Sequence, residues 1–264
     1  MQEILALTAA QTGSAYGAAA TGFEAGEWRA MAGTTWNGGA ATFSPSYGFG
    51  LVDAFAAVRL SEQWLEMQGA PATQGNLLRA SVLESAHLRI EDLSEVSLVL
   101  EETERLTIEH LNVTVDLGHG FASDLTLTLV APDGTEVILS EGDGGGTAVR
   151  GDWTYGVSAL RGMSSAGEWT LLARDGATGG TGRLYSVELE FFGRPETVDD
   201  LWVFTDDFET LALAEPERRA QADGNGGTDW ISTVAVARDV TVALGPTSEV
   251  RVAGALWSEI TGGI

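Results

Sequence analysis

Ser123–Thr135 reads S-D-L-T-L-T-L-V-A-P-D-G-T, and its leucines at 125, 127 and 129 alternate with threonines at 126 and 128 before a Pro-Asp-Gly turn. A period of two is the mark of a strand with one face buried and one wet, and P-D-G supplies the turn chemistry that ends it. The same arithmetic extends outward. Leu111, Val113, Val115 and Leu117 alternate with Asn112, Thr114 and Asp116, and Val137 and Leu139 follow the turn. Downstream, Trp169, Leu171 and Ala173 share one face, and Tyr185, Val187, Leu189 and Phe191 share another, with D-G-A-T-G-G-T-G between the two runs. Half-buried strands of this kind need a second sheet to cover them, so the pattern predicts a mostly β protein built on an antiparallel β sandwich.

Earlier, Val96, Leu98 and Leu100 alternate, then Leu106 and Ile108, after which the apolar phase moves to Leu111 and Val113. A one-residue phase change near Glu109 and His110 predicts a β-bulge. Glu101, Glu102 and Glu104 lie between two such runs and read as a solvated turn.

The 264 residues carry a formal charge of −24, with 14 arginines and no lysine. Such a surface repels a nucleic-acid backbone or an anionic membrane, which excludes both as partners and leaves cations as the expected small ones. Solubility in a salty or calcium-rich medium explains the charge equally well. There is no cysteine, so disulfides and thiolate metal sites are excluded. No apolar run reaches the roughly 20 residues that a membrane helix needs. The opening M-Q-E-I-L-A-L lacks a basic n-region, so an export signal is expected outside this chain.

Three segments carry family resemblances. D-L-G-H at 116–119, the S-D-L-T-L-T-L-V-A-P-D-G-T run, G-E-W-T-L-L-A-R-D at 167–175 and G-R-L-Y-S-V-E-L-E-F-F-G at 182–193 resemble, in order, the P domain of kexin and the proprotein convertases. That resemblance implies a jelly-roll-like sandwich over residues 77–193 that stabilises a subtilisin-type serine protease domain. Arg161, Gly162 and Met163 stand where many members carry W-G-E, which puts in doubt any contact made by the family's acid. The helical segment Gln2–Ala10, W-N-G at Trp36–Gly38 and Y-G-F-G-L-V-D-A within Phe43–Leu60 are similar to the close of a subtilisin-type catalytic domain. Residues 1–68 are therefore expected to be the incomplete tail of one, with Leu51, Ala54, Phe55 and Val58 on one helical face. G-A-P-A-T-Q-G at 69–75 reads as a linker. Residues 199–264, with A-D-G-N-G-G-T-D-W-I, resemble the opening of the calcium-binding C-terminal region of serralysin-type metalloproteases and are expected to form a partial β segment.

Catalytic residues are not expected. Nucleophilic catalysis needs a nucleophile, a base and an orienting group. The G-T-S-x-x-x-P context of a subtilisin-type serine is missing, no H-E-x-x-H occurs, and His87, His110 and His119 lack catalytic surroundings. His119 reads as a loop anchor. Calcium is the candidate cofactor, because it takes oxygens from carboxylates and loop carbonyls. Asp124 and Asp175 sit at strand ends beside Gly-rich loops, and Asp116, Asp143 and Asp152 could complete a site. Asx turns and loop caps account for the same aspartates equally well, and Asp223 and Asp229 carry the same two readings.

Taken together, the resemblances imply the non-catalytic C-terminal portion of a secreted, calcium-dependent subtilisin/kexin-like serine endopeptidase. Its implied partners are a catalytic domain in cis, absent from this chain, and the peptide or protein substrates of the parent enzyme. The alternative is a stand-alone adhesion or carbohydrate-binding sandwich, favoured if Trp153, Trp202 and Trp230 form one exposed platform.

Overall fold

The elements follow one another as α1 (Gln2–Leu7), β1 (Arg29–Ala30), β2 (Thr42–Phe43), α2 (Ala54–Gln68), β3 (Leu78–Ile90), β4 (Glu95–Glu102), β5 (Leu106–His119), β6 (Leu125–Val130), β7 (Glu136–Glu141), β8 (Val149–Val157), β9 (Gly167–Asp175), β10 (Gly182–Pro195), β11 (Leu201–Thr205), α3 (Phe208–Ala214), β12 (Ala220–Ala222), β13 (Trp230–Ala235), β14 (Val240–Ala243), β15 (Thr247–Val252) and β16 (Ala255–Thr261). This computed structural model describes residues 1–31, 42–69 and 73–262; Trp36–Gly38 and part of the 69–75 linker lie outside them. Two units result, Leu78–Pro195 and a second made of Met1–Leu77 with Glu196–Ile264.

In the first unit the order β3-β10-β5-β8 forms one sheet and β4-β9-β6-β7 the other, with antiparallel pairing throughout. Two four-stranded sheets with this order are a jelly roll. Most inward residues are those the alternation singled out: Leu111, Val113, Val115, Leu125, Leu127, Leu129, Trp169, Leu171, Ala173, Val187, Leu189 and Phe191 are all buried. Tyr185 is an exception, because the register shifts between Leu184 and Ser186 and Leu184 is buried in its place. Trp169 and Phe191 meet across the gap at 5.2 Å between ring centroids, and Trp169 Nε1 donates to the Ser165 carbonyl at 2.8 Å.

The predicted bulge is present. Phe192 pairs with His110 and Gly193 with Ile108, which leaves Glu109 as the extra residue. A Cβ at position 193 would lie 2.1 Å from the Thr107 carbonyl oxygen, so the bend requires glycine there. One reading is corrected. Glu102 is buried rather than solvated, and its Oε1 accepts the N–H groups of Thr103 and Glu104 at 2.8 and 2.9 Å, closing the turn from inside.

The second unit is built around β11, L-W-V-F-T, whose five residues are all buried. Leu201 and Val203 pack with Ile4, Leu7, Ala57, Leu60, Trp64 and Met67 from α1 and α2. Trp202 and Phe204 face the other way, into a core with Phe208, Val250, Val252, Trp257 and Ile260. One short strand thus joins residues from both ends of the chain. Helix α2 is capped at both ends: Asp53 Oδ1 accepts the Ala56 N–H at 2.9 Å, and Gly69 adopts φ +63°. Its apolar residues occupy two faces. Ala56, Ala57, Leu60, Trp64 and Met67 are buried, whereas Leu51, just before the helix, Phe55 and Val58 are about 60% exposed.

Trp169→Ala should cost about 3–5 kcal/mol, because the ring is wholly buried and a core relaxes only in part around the cavity left by such a truncation. Urea unfolding should show a lower midpoint at an unchanged slope. An unshifted midpoint would contradict the inward placement of this strand.

Candidate functional site

Loops gather around His119 at one end of the sandwich. Its side chain and that of Asp175 are fully buried, with Nε2 3.2 Å from Asp175 Oδ2. Nδ1 lies 2.8 Å from the Phe121 carbonyl oxygen and 3.2 Å from the Phe121 nitrogen, so the tautomer decides whether it donates to the first or accepts from the second. Asp175 Oδ1 accepts the Ala177 N–H at 3.1 Å, and the Asp124 carbonyl accepts the Gly176 N–H at 2.8 Å. A Cβ on Gly180 would stand 2.7 Å from the ring carbon Cε1, and one on Gly182 would stand 2.5 Å from Cδ2. The glycine-rich loop is therefore pressed onto the imidazole. With both ring nitrogens engaged and no surface exposed, His119 ties the 119–124 loop to the 175–182 loop, which is the anchoring role its sequence position suggested.

Of the four candidate metal ligands, Asp124 and Asp175 come together at this cluster, whereas Asp116 and Asp143 lie apart from it. Asp124 sits beside this cluster, where Oδ1 accepts the Ser123 hydroxyl at 2.9 Å, and Asp175 is committed to His119. Asp116 lies mid-strand on β5, opposite Asp152 and Ser186. Asp143 lies in the loop before β8 and accepts from the Ser140 hydroxyl at 3.0 Å. Among the described residues no three His, Asp or Glu side chains are grouped to hold a metal ion.

His110 lies on the outer face of its sheet, with Nδ1 3.3 Å from Ser158 Oγ and Nε2 3.0 Å from Asn112 Oδ1, and Asn112 Nδ2 donates to Glu190 at 2.9 Å. This chain of contacts stitches neighbouring strands. The proposed tryptophan platform does not form, since Trp202 is buried at 2% exposure.

An acidic group in the second unit was only partly visible beforehand. Asp223 Oδ1 accepts the N–H groups of Asn225 and Gly226, Asp199 Oδ1 accepts that of Thr228, and Asp229 Oδ1 that of Asp200. Asp223 thus behaves as a turn residue, whereas Asp229 ties the start of β13 to the residue before β11. The Asp200 carboxyl is pushed up to about 6, first by burial and then by the carboxylates of Asp229, Asp223 and Asp199.

Residues 108–191 match the family model described as proprotein convertase P-domain. Protease KEX1 of Kluyveromyces lactis is 29% identical over 171 residues, covering 60% of this chain and 21% of its own. The calcium-dependent protease of Trichormus variabilis is 30% identical over 155 residues, covering 56% of this chain and 22% of its own. Among solved structures, the serine protease of Aeromonas sobria aligns with a TM-score of 0.55 at 23% identity, covering 73% of this chain and 39% of that one, a likeness of fold. The matched residues all fall within the Leu78–Pro195 unit, and the chain spans about a fifth of the length of these curated relatives. No helix among the described residues is long and apolar enough to cross a membrane.

Because the folded state raises the pKa of Asp200, it binds that proton more tightly than the unfolded chain does. The contribution to stability is full below about pH 4 and is lost as pH rises through about 6. Asp200→Asn should therefore melt higher than the parent chain at pH 8, with the difference closing towards pH 4. Melting curves across that range decide it, and a gap that widened on acidification would reverse the assignment.

Proposed function

We propose that this chain is the non-catalytic C-terminal portion of a secreted subtilisin/kexin-like serine endopeptidase, in which the P domain stabilises a catalytic domain that precedes it. The observation that carries the proposal is the outward face of α2. Leu51, Phe55 and Val58 are 64%, 64% and 58% exposed; Leu51 lies within Y-G-F-G-L-V-D-A and the other two follow it, all in the Phe43–Leu60 stretch that resembles the close of a subtilisin-type catalytic domain. Large apolar side chains clustered at a surface mark a place where another body sits, and the remainder of a catalytic domain is the occupant that fits this one. On this reading residues 1–68 are the tail of that domain, residues 199–264 open a further C-terminal region, and the substrates are peptides or proteins cleaved by the whole enzyme.

Calcium dependence is proposed for the whole protein, on the strength of the relative named a calcium-dependent protease. Asp124, Asp175, Asp116 and Asp143 do not fit one shared ion in their present arrangement, so none is assigned as a ligand. The adhesion or carbohydrate-binding alternative has lost its expected platform with the burial of Trp202.

The chain alone should cleave no fluorogenic peptide. Phe55→Ser with Val58→Ser should leave its own melting temperature nearly unchanged, both positions being exposed here, yet lower the melting temperature of a longer protein that includes the catalytic domain. Peptide cleavage by the isolated chain, or an unaffected longer protein, would overturn the proposal.

A further inference from the structure

Four strands lie at sheet edges in the sandwich, and three are guarded. β3 carries Arg79 and Arg89 and a left-handed His87 at φ +52°, and it packs against β4, which itself carries Glu95 and Glu101. β7 has only six residues and a register shift against β6. Charges, short length and bulges are the usual means of blunting an edge. β8 is guarded only at its start, by Arg150 and the left-handed Gly151: it is nine residues long, hydrogen-bonded to β5 alone in unbroken register, and exposed from Arg150 to Thr154. Gly151, at φ +88°, limits the free regular edge to Asp152–Val157.

Trp153 stands in this edge. It is the register partner of the buried Val115, so it shares the inward face, yet it is 53% exposed because no strand lies beyond it. The opposite face carries the row Ser186, Asp116, Asp152, in which two carboxylates are direct cross-strand neighbours. Like charges so placed repel, and the row runs out at the open edge. The next row is Glu188, Thr114, Thr154, with the two threonine hydroxyls 2.8 Å apart.

We propose that the Asp152–Val157 edge of β8 accepts an extended peptide by strand addition. The register states its pattern: a basic residue beside Asp152, an apolar one beside Trp153 and a small polar one beside Thr154. The main chain would complete the open ladder, Trp153 would gain cover, and the cation would face the two aspartates. This inference is independent of the proposed protease assignment.

The probe is a fluorescein-labelled octapeptide alternating valine with threonine, with one threonine position occupied by arginine, titrated against the full chain by anisotropy. Saturable binding is expected. Replacing that arginine by glutamate, or moving it into the valine phase, should weaken binding at least ten-fold, and a central proline should abolish it. Asp152→Lys should reverse the preference between the arginine and glutamate peptides, and Trp153→Ser should weaken both. Should the serine variant fold poorly, the charge reversal still decides. The inference fails if the proline peptide binds as well as the parent, which would mean unspecific charge attraction. It also fails if Asp152→Lys leaves the preference unchanged, or if sedimentation shows self-association that Trp153→Ser abolishes, since the edge would then belong to a second copy.

Discussion

The contact of Trp169 with Phe191 between the two sheets is the interaction on which the sandwich depends. Each ring belongs to an inner strand, β9 in one sheet and β10 in the other, so the pair couples the two ladders at their centres. Burying two large aromatics removes several hundred square ångströms from water and fixes the spacing that the smaller inward residues must fill. The Trp169 N–H finds the Ser165 carbonyl, so the ring is buried without leaving a polar group unpaired. Ser165 Oγ in turn accepts the Leu106 N–H at 2.9 Å, which ties the start of β5 to the approach to β9.

Much of this was legible in the sequence because period two is a local signal. The alternation on β5, β6, β9 and β10, the bulge at Glu109 and the inward phase of Trp169 needed only neighbouring residues to be compared. β3 escaped because an edge strand with one sparsely covered face has no clean alternation, as its irregular burial shows. β11 escaped for the opposite reason. A strand buried on both faces is an unbroken apolar run, and L-W-V-F-T cannot be told from a piece of buried helix by periodicity. The union of the two chain ends was invisible for the same reason, since it rests on β11 contacts between residues about 200 positions apart.

At the candidate site the types of residue were legible and their commitments were not. Asp175 could be read as a ligand or a cap, and its burial with His119 settles its partner. Glu102 looked like one of three solvated acids, yet its carboxylate turns inward to two N–H groups. Acidic side chains in loops serve backbone donors as readily as ions, and a formal charge says nothing about which it will be.

The two ends of the sandwich are register partners: Leu78 on β3 lies opposite Gly193 on β10. Adjacent strands stand about 5 Å apart, so the chain leaves the jelly roll almost where it entered. Once the jelly roll has folded, it behaves towards the flanking halves as a connector a few residues long. Closing a loop becomes more costly with every doubling of its length, by about 0.6 kcal/mol each time, and a folded insert cancels several such doublings. The pairing of Leu78 with Gly193 therefore shortens the effective loop that must close before β11 can meet α1 and α2.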